Sequence, residues 1–155
     1  MTDKLPLKVV VTHSFSASSD RVFDAWLDPK MIEKWMFSPT LLEQEVVRIS
    51  LDARVGGSFS FVVRRQGKEI DHIGKYLEID RPRRLVFTWG VRQDSGDSSR
   101  VMVDVVAQGT GSELILTHEL DPAWADYESR TRDSWTKMLK VLDDTLSASA
   151  GAAGR

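Results

Sequence analysis

From residue 43 to residue 120 the chain is a succession of short alternating apolar segments separated by turns and short polar loops. That spacing favours an antiparallel sheet over a parallel one, because two parallel strands need a crossover of about a dozen residues or more. The segments are Glu43–Leu51, Ser58–Arg65, Ile70–Ile79, Arg84–Val91, Val101–Ala107 and Glu113–Leu120. Between them lie Gly56-Gly57, Gln66-Gly67-Lys68, Arg81-Pro82, a polar loop Asp94–Ser99 and Gly109-Thr110-Gly111. Residues 7–15 add one more alternating strand, with Val9, Val11, His13 and Phe15 on a common face. The reading is an antiparallel meander.

Helical periodicity flanks this block on both sides. Ser18 or Ser19 offers an N-cap, and Val22, Phe23, Trp26 and Leu27 form one apolar face of a short helix. Asp28-Pro29 ends it and opens a second, carrying Ile32, Trp35 and Met36. From about Trp124 to Ser147 the chain turns helical again, with Trp135, Met138, Leu139, Leu142 and Leu146 at spacings of three and four. Residues 1–147 therefore read as one α+β domain, and the Ser/Ala/Gly-rich residues 148–155 as a flexible tail.

A chain of 155 residues can bury a sizeable core unaided, and with no cysteine it has neither disulfides nor thiolate metal ligands. Its 21 basic and 23 acidic residues are interspersed, so no phosphate-tracking stripe exists and nucleic acid is not an expected partner. The N-terminal apolar run is too short for a signal peptide, and no segment reaches the ~20 apolar residues of a membrane helix. A soluble, cytoplasmic protein without membrane association is expected.

A seven-stranded sheet with one long helix leaves a concave face that the helix alone cannot fill. The space beside it is either packed solid or left as a small-molecule pocket. The large side chains available are Trp35, Phe59, Phe61, Phe87, Trp89 and Trp135, with Met36 at the rim and Met138 on the long helix.

The polar candidates are few. His118 shares the inward parity of Leu114 and Leu116 and can orient a ligand or exchange a proton, and it can equally be a structural core histidine. His13 shares the parity of Phe15. His72 and Tyr76 lie in 70–79, where apolar residues occupy both parities and the inward face stays undecided. Spacings of 59 and 46 residues between the three histidines match no metal motif, and His118-Glu119 lacks the second histidine of HExxH. No GxSxG nucleophile or phosphate loop occurs, so neither a metal nor a cofactor is expected.

Five segments in order carry a resemblance: SASSDRVFDAWLDPKMIEKWM, DARVGGSFSFVV, GKYLEIDRPRRLVFTWG, ELILTHEL and SWTKMLKVLDDTL. Together they resemble the activator-of-Hsp90-ATPase-homologue-like (AHSA-like) branch of the START-related SRPBCC superfamily, across approximately residues 7–146. The resemblance implies a helix-grip fold, in which a curved antiparallel sheet of about seven strands wraps a long C-terminal helix with two short helices after strand one. It also implies a pocket between sheet and helix. Its second helix usually ends in two tryptophans, whereas this chain has Trp35-Met36, and the matching position of His13 often holds arginine. The co-chaperone that names the branch has a separate N-terminal domain contacting the chaperone, which this sequence does not show, so direct Hsp90 partnership is not expected.

Three readings follow. The first is a domain binding a small apolar ligand through Trp35, Met36, Phe59, Phe61, His72, Tyr76, Phe87, Trp89, His118, Trp135 and Met138. The second is an enzyme using His118 with Tyr76 or His13 for acid–base chemistry on a hydrophobic substrate. The third is a co-chaperone-like interaction or stress-response module with an exposed apolar patch. A homodimer is compatible with all three.

Overall fold

The computed structural model describes residues 7–38, 41, 43–91, 99–120 and 122–153, so residues 94–98 of the polar loop and the last two residues of the expected tail lie outside it. Strand β1 (Leu7–Phe15) leads into helices α1 (Ser19–Asp24) and α2 (Pro29–Trp35). Strands β2 (Glu45–Leu51), β3 (Ser58–Arg65), β4 (Lys68–Asp80), β5 (Arg84–Val91), β6 (Ser99–Gln108) and β7 (Gly111–Leu120) follow. A 3-10 turn, Pro122–Tyr127, precedes helix α3 (Glu128–Ala153).

Hairpin connections pair each strand from β2 to β7 with the next, and β1 closes the order as β1-β7-β6-β5-β4-β3-β2, antiparallel throughout. This is the curved sheet and long C-terminal helix of a helix-grip fold. Local chemistry sets the helix starts. The Ser18 hydroxyl accepts from the Arg21 amide, and the Asp28 carboxylate accepts from the Lys30 amide with Pro29 in the first turn.

The long helix differs at both ends from the sequence expectation. It becomes α-helical at Glu128 instead of Trp124, because the chain leaves the sheet through a 3-10 turn that opens on Pro122. Its backbone stays helical through Ala153, beyond the Ser147 boundary drawn from the loss of apolar anchors. Alanine's helix propensity continues a helix without needing burial.

Strand β4 shows why its two apolar parities cannot be assigned to a single face. Its register with β5 shifts between Tyr76 and Glu78, so one extra residue reverses which parity faces the core. Before the shift His72 and Tyr76 are buried, after it Ile79 packs inward, and Leu77 at the shift is exposed. A second shift, between Val46 and Arg48 in β2, does the same for Val46 and Ile49.

Helix α3 packs chiefly on β1 and α2. It therefore covers the β1 end of the sheet's inner face, and aromatic rings fill the β3–β5 end of that same face. Trp26, in the turn after α1, meets Trp35 at 4.7 Å between ring centroids and stacks on Trp135 of α3 at 5.9 Å. Phe59 stacks on Phe61 at 4.6 Å and touches Phe87 edge-on at 5.8 Å. Trp35 is held in place by its indole N–H, which donates to the Ala25 carbonyl at 3.0 Å. Each such ring buries ~150–250 Å² and dominates local packing energy.

Candidate functional site

The space between sheet and helix is mostly filled. Trp26, Met36, Phe59, Phe61, Tyr76 and Phe87 surround a void of only about 10 Å³, at the lower limit of what one water needs. Trp35, Phe59, Phe61, Tyr76, Phe87, His118 and Trp135 are all nearly or fully buried. They form the packed core beneath the site.

A larger cleft of about 300 Å³ opens at the outer edge of that core. One wall is sheet: Arg65 at the end of β3, His72 of β4 and Trp89 of β5. Ser134, Lys137 and Met138 of α3 form the facing wall, and Met36, Phe37, Leu41 and Gln44 from the segment after α2 close the rim. The volume stands at the small end of ordinary ligand sites. Of the residues singled out in the sequence, Met36, His72, Trp89 and Met138 line this cleft.

Phe37, Leu41, Gln44, Arg65, Ser134 and Lys137 line it without having been singled out. Two signals for them exist in the sequence. Arg65 continues the inward parity of Phe59, Phe61 and Val63, and Ser134, Lys137 and Met138 lie at i, i+3 and i+4 beside the apolar stripe of α3.

The electrostatics of the cleft are one-sided. Arg65 donates from Nη2 to Gln44 Oε1 at 2.7 Å, while its Nε is buried with no partner. No carboxylate lines the cleft among the described residues, and none pairs with Arg65. Burial lowers the Arg65 pKa below its ordinary value. His72 lies between Trp89, stacked at 5.4 Å, and Phe37, tilted at 5.2 Å. Burial depresses its pKa, and Nδ1–H donates to the Phe61 carbonyl at 3.1 Å, which leaves Nε2 as an acceptor.

His118 is fully engaged elsewhere. Trp135 donates its indole N–H to His118 Nδ1 at 3.0 Å, His118 Nε2–H meets Ser99 Oγ at 2.6 Å, and Ser99 donates to the Trp89 carbonyl at 2.9 Å. Burial pushes the ring down to about 4. This is a neutral histidine with both nitrogens satisfied, tying α3 to three strands.

The other acid–base candidates do not join it. His13 pairs through Nε2 with Asp143 at 2.9 Å on the β1–α3 contact. It lies four residues along β1 from Val9, the partner of His118, hence ~13 Å away along the strand. Tyr76 is three strands from β7, some ~14 Å across the sheet. Burial raises its hydroxyl pKa well above the ordinary value, so it stays protonated. Among the described residues no three His, Asp or Glu side chains are placed to share a metal ion. No helix of the described residues is long and apolar enough to cross a membrane.

Residues 16–147 match the model of the family described as Activator of Hsp90 ATPase homolog 1-like protein. The chain belongs to this family. No curated protein matches it. Among solved structures, protein CV1439 from Chromobacterium violaceum superposes with a TM-score of 0.76 at 24% identity, covering 89% of this chain and 95% of the other. Protein NE0264 from Nitrosomonas europaea gives 0.79 at 17% identity, with 92% and 96% covered. Protein Ms6760 from Mycobacterium smegmatis gives 0.73 at 19%, with 96% of each chain covered. At these identities the likeness establishes that this family member shares their helix-grip fold.

Proposed function

We propose that this domain binds a small, largely apolar ligand in the cleft between Trp89 and α3. The observation that carries the reading is the cleft itself: about 300 Å³, open on one side, with aromatic and thioether walls and a few polar groups. Methionines at its rim suit a site that adjusts to its occupant. An interaction patch has less support, since the exposed large apolar residues Val10, Val47, Val55, Leu77, Val106 and Tyr127 are spread over different elements. Acid–base catalysis by His118 has none, because both ring nitrogens are already bonded within the protein.

Titration with the neutral dye Nile red tests this. Saturable one-to-one enhancement of its emission is expected, and M138W, which fills the cleft from the helix side, should abolish it while keeping the thermal melt cooperative. The reading fails if there is no saturable uptake, or if uptake is the same in the folded M138W variant.

A further inference from the structure

The cleft's polar groups carry more information than its volume. Arg65 points from the inward face of β3, and Lys137 lies across from it on α3, so two cations line one small space. Surface cations normally find carboxylates, and this chain follows that habit elsewhere. Arg64, the neighbour of Arg65, holds Glu45 at 2.8 Å and Glu69 at 3.0 Å, and Arg84 holds Asp104 at 2.8 Å. Among the described residues Arg65 holds only the neutral Gln44, and its Nε is buried without a partner. A buried donor left unmade costs ~1–3 kcal/mol, a strain that a bound acceptor would relieve.

We propose that the ligand of this cleft is an organic anion, a carboxylate on a compact apolar body, with the carboxylate held between Arg65 and Lys137 and the body laid against Trp89. This deepens the ligand-binding reading and rests on it. Guanidinium is the cation suited to such a group, because its planar fork matches both carboxylate oxygens while lysine contributes a point charge. Gln44 accepts from one Nη2 hydrogen and orients the plane. The nearby His72, neutral and wedged between Trp89 and Phe37, adds no charge of its own, so the cations of the cleft are Arg65 and Lys137. The volume equals roughly ten waters of liquid, which suits a short aliphatic or an aromatic acid and excludes a long lipid lying wholly inside.

The test compares 2-naphthoate with 2-naphthamide, which share a ring system and differ in charge. Each displaces Nile red from the full chain at low ionic strength. The acid is expected to bind at least tenfold more tightly than the amide, and added salt should narrow the gap. R65M should remove most of that preference while amide affinity stays within a factor of three. K137M, at an exposed helix position that leaves the core intact, should remove a smaller part and keeps the comparison decisive even if R65M folds poorly. Equal affinity for acid and amide in the native chain would overturn the proposal, as would an acid preference unchanged in K137M and in folded R65M. Binding of Nile red with displacement by neither compound also defeats it and leaves the ligand-binding reading standing. Absence of all binding removes both.

Discussion

The indole of Trp135 donates to Nδ1 of His118 at 3.0 Å, and this one bond decides the protonation state of a buried histidine. With Nδ1 accepting, the proton of the neutral ring must sit on Nε2, where Ser99 receives it. A second proton would have to displace the indole N–H and bring a charge into the core. Burial accordingly lowers the ring's pKa from 6.5 to about 4.

A pH dependence follows from that depression. In the unfolded chain the ring takes up a proton below about 6.5, while the folded chain refuses it until about 4. The unfolded state therefore binds more protons between those values, and stability rises with pH across that window. It is complete above pH 6.5 and is lost as pH falls towards 4, by about 2 kcal/mol between pH 7.5 and pH 5. His72, depressed in the same direction, adds to the loss. Urea unfolding at pH 7.5 and pH 5 measures it. His118→Asn keeps an acceptor for Trp135 and removes the titrating ring, so its stability should change much less between the two pH values. An unaltered acid limb in that variant would locate the effect elsewhere.

The sequence showed the scaffold more clearly than the site, for a physical reason. Alternation and turn residues are local, and they located every strand and the inward parity of His118. They could not name that residue's partners, because Ser99 and Trp135 approach it only after β6, β7 and α3 pack. Parity also breaks at a bulge: Ile73 and Leu77 in β4 make both faces look apolar, and only the register shift after Tyr76 separates them. Nor could alternation tell filled space from open space around Trp35 and Phe59, because large aromatic rings suit a solid core as well as a cavity wall. Arg65 was legible by parity, but an inward cation runs against the usual rule for buried faces and is easily assigned to solvent.

A second expected outcome concerns Gly74, which lies opposite Phe59 in the β3–β4 ladder. A methyl group there would collide with the Thr88 carbonyl of β5 and stand 2.5 Å from Phe59 Cζ. The carbonyl belongs to the backbone and cannot turn aside. Phe59 is held by Phe61, Phe87 and Trp89. Gly74→Ala should cost about 1–3 kcal/mol or more by overpacking, and the displaced Phe59 ring should disturb Trp89 on the wall of the cleft. Chemical denaturation gives the first quantity, and the Nile red titration reads the second. A stability change below about 0.5 kcal/mol would mean the β4–β5 spacing adjusts freely.

Trp26 and Trp35 offer a controlled comparison, since their rings meet at 4.7 Å within one cluster. Trp35 donates its indole N–H to the Ala25 carbonyl, whereas Trp26 Nε1 is buried with no partner. Replacing either by phenylalanine removes similar apolar area and leaves a similar hole. The polar consequences have opposite sign. In Trp35→Phe a hydrogen bond is lost and a buried carbonyl is stranded, while Trp26→Phe removes an orphaned donor. Trp35→Phe should therefore destabilise the protein by about 1–3 kcal/mol more than Trp26→Phe, which stays within about 1 kcal/mol of the native chain. Parallel urea melts decide it, and equal losses in the two variants would show that the Trp26 donor is satisfied in solution.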